Sequence, residues 1–308
     1  MTPAPSLVRA PRSPIDRPAA LLMSLLCLCW ALQQIAVKWA APDMAPVAQI
    51  GWRSALAAVL VVGFMAWQRE PLQWRRNGRA GALVGLLFGL EFWLVAEALV
   101  HTSASHTVVF LYTAPLFAAL GLHLRVRAER LRPLQWGGMA LAFAGLALAF
   151  GRSPTEGTSL LGDAYALAAG LAWGLTTVVL RGSRLADAAA SEALLYQLVG
   201  AAVLLLAAAA LTGQLAYRPT PVLAASLAFQ AVVVAFISYL VWFWLLTKYV
   251  ASALGAFSFL TPVLGVGLGA LLLNEPLEPV FVGGAVLVLA GVAVVSWSPA
   301  QGATGLDR

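Results

Sequence analysis

Two polar stripes, two carboxylates and one arginine stand out in a chain that is otherwise apolar. Trp30, Gln33, Gln34 and Lys38 fall at i, i+3, i+4 and i+8, one face of a helix, and Trp173, Thr176, Thr177 and Arg181 repeat the design further on. A polar group facing lipid lacks hydrogen-bond partners, so each stripe must face a cavity or another helix. Glue between helices is the plain alternative for the Gln and Thr side chains; the duplication favours a cavity for Trp30 and Trp173. Glu91 and Glu97 share one apolar run ending at His101. An ionised side chain at a bilayer centre costs at least about 2.5–3.5 kcal/mol, so each must pair, stay protonated or line water. Glu97 lies at a depth comparable with Arg53 of the preceding run, and the two read as a structural ion pair. Glu91 sits deeper without an evident partner and is the candidate for holding an organic ammonium or relaying a proton. Tyr112, Tyr239 and Trp242 carry rings with an apolar face and a polar edge. They are candidate cavity lining against the commoner use of such rings in packing. His106 and His123 read as structural or interfacial.

Pro115 and Pro262 interrupt matching apolar runs, where each removes a backbone hydrogen bond and kinks its helix. Thr113 and Thr261 are placed to satisfy the freed carbonyls, and paired interruptions point to a binding site or a moving gate. Glu129 and Glu275 each precede a helix and suit its positive N-terminal end, a structural use. Gly137-Gly138 and Gly283-Gly284 permit close helix approach, as a packing scaffold or a homodimer contact. Gly265, Gly267 and Gly269 lie inside an apolar run with no strand before them, which excludes a nucleotide loop. Cys27 and Cys29, two residues apart on a helix, point in different directions and suggest neither a disulfide nor a metal site. No metal or cofactor is expected, and the lack of an HExxH motif or paired aspartates argues against an intramembrane enzyme.

The elements that carry these residues must live in lipid. Of 308 residues, 61% are hydrophobic and 10% charged, against about a quarter charged in soluble domains. A membrane helix needs about 20 mostly apolar residues, and ten segments qualify or nearly do: 18–40, 46–67, 80–100, 103–124, 133–150, 159–181, 190–212, 221–246, 250–273 and 279–297. The net charge of +6 could suggest nucleic acid, but the basic residues sit in short loops, so it reports topology instead. With the N-terminus inside, the cytoplasmic segments hold 15 Lys and Arg residues and the opposite side three: Lys38, Arg152 and Arg218. Both termini are then cytoplasmic, and cysteine labels should reach Gly157 from the periplasm and Asn77 from the cytoplasm. Trp39, Trp67, Trp136 and Trp297 fall near span ends, as an aromatic belt would place them.

An internal repeat organises the spans. Glu129, Pro133, Gly137, Gly138 and Gly145 spell E-x3-P-x3-G-G-x6-G, and Glu275, Pro279, Gly283, Gly284 and Gly291 spell it again. Trp30 with Lys38 matches Trp173 with Arg181, and Pro115 matches Pro262 with a one-residue gap. Each unit therefore holds five helices. An odd number forces consecutive copies to enter from opposite sides, an inverted-topology repeat with a site expected near the midplane. The fold class is an all-α membrane protein, ten transmembrane helices as two inverted five-helix repeats. It divides into a tail (1–17), a first repeat (18–150), a linker (151–158), a second repeat (159–298) and a tail (299–308).

Ser103-Ala104-Ser105, Thr113-Ala114-Pro115-Leu116-Phe117, Glu129 and Gly137, repeated as Ser252-Ala253, Thr261-Pro262-Val263, Glu275 and Gly283, resemble the fourth and fifth helices of the drug/metabolite transporter superfamily, in its EamA-type ten-helix group. The resemblance spans nearly the whole chain outside the tails. It implies a secondary transporter in the bacterial inner membrane, working by alternating access on a small-molecule substrate. Amino acids, including aromatic ones, are the narrower expectation; another solute class (nucleobase, sugar or drug) or a channel are the alternatives. Glu91 and Glu97 stand outside the family motif.

Overall fold

The computed structural model describes residues 16–125, 131, 133–150, 158–249, 254, 257, 258 and 260–296. Glu129, Gly157, Ser252, Ala253 and Trp297, with residues 1–15 and 297–308, lie outside the described residues. The described chain is helical throughout, apart from an isolated bridge between Met44 and Tyr217. Its helices are α1 (Arg17–Ala40), α2 (Pro46–Gln68), α3 (Trp74–His101), α4 (Ala104–Leu111), α5 (Ala114–Arg125), α6 (Pro133–Phe150), α7 (Leu160–Arg181) and α8 (Ala190–Leu211). There follow α9 (Pro221–Ala228), a π-helical stretch (Phe229–Ser238), α10 (Tyr239–Lys248), α11 (Leu260–Leu273) and α12 (Pro279–Ser296). Seven helical segments are long and apolar enough to cross a membrane, with α4 and α5 taken together and α9 running through the π-helical stretch into α10. Helices Pro133–Ala149, Leu260–Leu273 and Pro279–Val294 are apolar but shorter.

Local chemistry explains the helix ends. Asp16 accepts from the Ala19 amide at 2.9 Å and Pro18 follows in the first turn of α1, so the cap supplies an acceptor and the proline removes one orphan donor. Ser103, Ser159 and Thr220 cap α4, α7 and α9 in the same way. The α4–α5 break sits just before Pro115, where Thr113 Oγ1 donates to the Phe110 carbonyl at 2.6 Å, a local bond that helps to satisfy the last turn of α4. Thr261, its counterpart, makes no such bond to a carbonyl; Tyr112 and Cys27 are the side chains placed against its hydroxyl.

Glycines set how closely the helices pack. A Cβ on Gly138 would lie 2.8 Å from the Gly291 carbonyl, and one on Gly145 would lie 2.7 Å from the Gly284 carbonyl. These two contacts exchange under the sequence repeat, so α6 and α12 meet about a local two-fold relation within one chain. Gly85 and Gly200 bring the backbones of α3 and α8 together with no room for a side chain on either. Trp39, Trp67 and Trp136 are exposed near helix ends, where interfacial rings belong.

Polar ties close both ends of the bundle. At the end that carries Lys38, Glu275 accepts from the Ala104 amide (2.6 Å), the Ser105 amide (2.9 Å) and Ser105 Oγ (2.6 Å), with Lys38 Nζ at 3.8 Å. Glu275 therefore caps α4, from the other repeat, rather than the helix that follows it. Asn274, in the left-handed region at φ 53°, turns the chain to present it. Asp163 accepts from Thr102 Oγ1 and lies 2.8 Å from His106 Nδ1, whose ring stacks on Phe281 at 3.7 Å. Thr220 donates to Asp43, and Arg218 to the Pro42 carbonyl. At the opposite end Glu192 accepts from the Gln73 amide and Asn77 Nδ2, and Ser191 donates to Glu70. Asn77 is buried by this contact, which makes it unsuitable for the labelling expected of it; its neighbour Arg76 is exposed.

Candidate functional site

Between these two tied ends, α2, α3, α10 and α11 bring together buried polar side chains that are only partly satisfied. Arg53, seven residues into α2 from Pro46, is wholly buried; Tyr239 is the side chain placed to bond its guanidinium, and none of Nε, Nη1 and Nη2 makes a hydrogen bond of good geometry. Its guanidinium lies over the Phe92 ring, 4.3 Å from the centroid, a cation–π contact that orients the planar fork without using its donors. Glu91, next to Phe92 on α3, is 4% exposed and its Oε2 also lacks a partner. Thr261 joins the same neighbourhood through Tyr112, and Gln34 Oε1 on α1 is a further buried oxygen without a hydrogen bond. Glu91 and Tyr239 are close enough to act on the Arg53 charge, and Tyr112 lies within reach of Thr261, Tyr239 and Glu91.

The expected Arg53–Glu97 pair is therefore corrected to an Arg53–Glu91 neighbourhood. Glu97 is six residues beyond Glu91, and at about 100° per residue that places it some 240° around α3, on another face. It is partly exposed and makes no ion pair with Arg53. Glu91, expected to stand alone, is the acidic residue that faces the arginine.

Aromatic side chains flank this cluster in two groups. Trp30 Nε1 donates to Ser238 Oγ at 2.9 Å and its ring meets Trp242 edge-on at 5.6 Å. Trp173 meets Tyr112 edge-on at 5.4 Å. The two tryptophans are thus engaged with different partners and make no ring contact with one another. Gln33 is buried on α1 beside Gln34. Thr176 and Thr177 point their hydroxyls back to the Ala172 and Trp173 carbonyls at 2.9 and 3.2 Å, so α7 itself satisfies them. Lys38, the last residue of the α1 stripe, belongs to the Glu275 tie.

Several polar residues escaped the sequence reading. Ser238 lies where the π-helical stretch passes into α10, and its hydroxyl accepts from Trp30; such i→i+5 stretches recur at functional sites. Gln230 donates to Gln49 Oε1 and Ser226 Oγ, while Gln49 donates to the Val37 and Met44 carbonyls. The signal that singled out Gln34, a polar residue inside an apolar run, applies equally to Gln49 and Gln230. His106 and His123 are structural, His123 accepting from the Leu131 amide at 2.9 Å.

Chemically, the cluster offers one cationic fork, one carboxylate and hydroxyls in a buried setting beside aromatic rings. It contains no arrangement of nucleophile and base. It is suited to holding a small polar or amphipathic molecule.

Comparison with known proteins agrees with a carrier. A protein of Archaeoglobus fulgidus described as an uncharacterized transporter is 26% identical over 88% of this chain and 95% of its own. A protein of Salmonella typhimurium described as a probable amino-acid metabolite efflux pump is 25% identical over 91% and 95%. A Pseudomonas aeruginosa protein of no stated function is 30% identical over 91% and 95%. A solved crystal structure shares the fold with a TM-score of 0.62 at 18% identity, covering 91% of this chain and 96% of the other. The model of the EamA-like transporter family matches twice, over residues 17–151 and 160–297. With nearly every described residue inside those two matches, the chain is a multi-pass membrane protein that belongs to the EamA-like transporter family.

Proposed function

We propose that this transporter spans the membrane with ten helices in two inverted five-helix repeats and exports small metabolites by alternating access, amino acids among them, including aromatic ones. The observation that carries the reading is the buried polar neighbourhood drawn from both repeats, Arg53 and Glu91 from the first, with Glu91 Oε2 lacking a hydrogen-bond partner, and Tyr239 from the second. Unsatisfied buried groups call for an absent water, ion or ligand, and in inverted-repeat carriers the substrate site lies where the halves meet. The exchange of the Gly138–Gly291 and Gly145–Gly284 contacts under the repeat supports the inverted architecture. At 18 residues each, α6 and α12 rise about 27 Å, near the roughly 30 Å of a hydrocarbon core. The amino-acid class is supported by the names of the Salmonella typhimurium and Escherichia coli relatives, both probable amino-acid metabolite efflux pumps. In this scheme Pro115 and Pro262 flank the hinge segments, and both termini are cytoplasmic.

The test is flux in proteoliposomes holding only this protein. Labelled amino acids, nucleobases and sugars are offered with and without a pH gradient, and saturable amino-acid flux is expected. Flux confined to nucleobases or sugars would overturn the substrate class, and single-channel current would overturn alternating access. Cysteines in place of Arg76 and Ala216, both exposed, should label from the cytoplasm and the periplasm respectively; reversed labelling would overturn the orientation.

A further inference from the structure

We infer that Arg53 and Glu91 are the two poles of a zwitterion site, Arg53 taking the carboxylate of a bound α-amino acid and Glu91 its ammonium. The inference rests on the reading of the midplane cluster as the substrate site and goes further, by assigning polarity within it.

Two features of the geometry carry it. First, the guanidinium is wholly buried with no carboxylate among the described residues bonded to it, and Tyr239 is the side chain placed to take a share of its five donors. A buried cation without a bonded carboxylate is costly, and proteins keep such a group where a ligand or switch uses it. Its planar fork matches a carboxylate in two parallel bonds, and the Phe92 ring 4.3 Å below Cζ leaves the fork's edges free to make them. Second, the one acidic side chain acting on that arginine makes no direct bond with it, and its own Oε2 is also unpartnered. Had the two closed into an ion pair, both would be satisfied and the site would be merely structural. Not joined in an ion pair, they can be bridged by a molecule that presents a negative end to one and a positive end to the other.

Charge balance then sets the selectivity. A ligand with both charges satisfies both poles. A simple acid satisfies Arg53 but faces Glu91, and a simple amine satisfies Glu91 but faces Arg53, so each leaves one buried charge unpaired and meets a like charge. Tyr112 and Tyr239, within reach of Glu91, and the Trp173 ring against Tyr112 supply surroundings in which an aromatic side chain can be accommodated.

The experiment compares L-phenylalanine with 3-phenylpropanoate, which lacks the ammonium, and 2-phenylethylamine, which lacks the carboxylate. Each is measured by thermal stabilisation of the purified full-length protein and by competition with phenylalanine flux in proteoliposomes. Wild type should favour phenylalanine over either analogue by at least about tenfold, the equivalent of one lost charge-assisted contact. Glu91→Gln should bind 3-phenylpropanoate better than wild type does, and Arg53→Gln should bind 2-phenylethylamine better, while both lose phenylalanine. This crossed gain is a change that a structural role would not produce. Arg53→Lys and Glu91→Asp retain charge and should keep the wild-type order of preference at weaker affinity, which covers the case in which a glutamine variant fails to fold. Phenylalanine flux with equal binding of the analogues, or without the crossed gain, would overturn the two-pole assignment and leave the site reading standing. Binding and flux of nucleobases or sugars with none of phenylalanine would overturn both.

Discussion

Glu275 and Glu91 are both largely buried glutamates in an apolar chain, and the structure treats them in opposite ways. Glu275 accepts three hydrogen bonds from the start of α4 and has Lys38 at 3.8 Å, and a Cβ on Gly269 would collide with it. Glu91 lies among helices from both repeats with Oε2 unpartnered and nearby an arginine with which it forms no ion pair. A satisfied carboxylate contributes to holding helices together, whereas an unsatisfied one holds free energy that only a ligand, water or proton can release. Glu275 thus serves the frame at one end of the bundle, whereas Glu91 is available to the proposed site.

This contrast orders the effects of substitution on stability. Glu275→Ala leaves the Ala104 and Ser105 amides of α4 without their acceptor, and should cost about 2–4 kcal/mol, read as lower thermal stability and folded yield in detergent. A neutral outcome would mean that the cap contributes nothing. Trp30→Phe keeps the ring against Trp242 but removes the bond to Ser238, for about 1 kcal/mol. Replacing Trp30 or Trp173 by Ala should weaken flux of large aromatic solutes more than that of small ones; loss of folded protein in step with flux would assign these rings to packing. Lys38→Gln should cost less than about 1 kcal/mol, because at 3.8 Å with a partly exposed side chain the contact with Glu275 is a weak surface-type pair. A loss as large as that of Glu275→Ala would show that the ion pair, rather than the helix cap, holds this end together.

What the residues alone made legible follows the range over which each pattern acts. Apolar runs and the duplicated E-x3-P-x3-G-G-x6-G motif act locally, and the close approach of α6 and α12 could be read from their glycines. Which glutamate meets Arg53 depends on the rotation of α3 against α2, a tertiary quantity, and depth along the run pointed to Glu97 instead of Glu91. The same limit applies to Glu275, whose partner helix comes from the other repeat, and to Asp163, whose contacts Thr102 and His106 lie far away in sequence. Thr176 and Thr177 show the converse: their stripe was legible, but a hydroxyl on a helix can bond its own i−4 carbonyl, and spacing does not reveal which it does. The π-helical stretch before Tyr239 has neither proline nor glycine to announce it.

Arg53→Gln, measured for flux and thermal stability in the same purified preparation, separates a binding arginine from a structural one most directly. If the midplane cluster is a substrate site, removing an unpaired buried charge should leave the melting temperature unchanged or raise it while phenylalanine flux falls by at least about tenfold, one lost charge-assisted contact. A lower melting temperature together with the loss of flux, or full flux in the variant, would contradict it and return Arg53 and Glu91 to the structural frame.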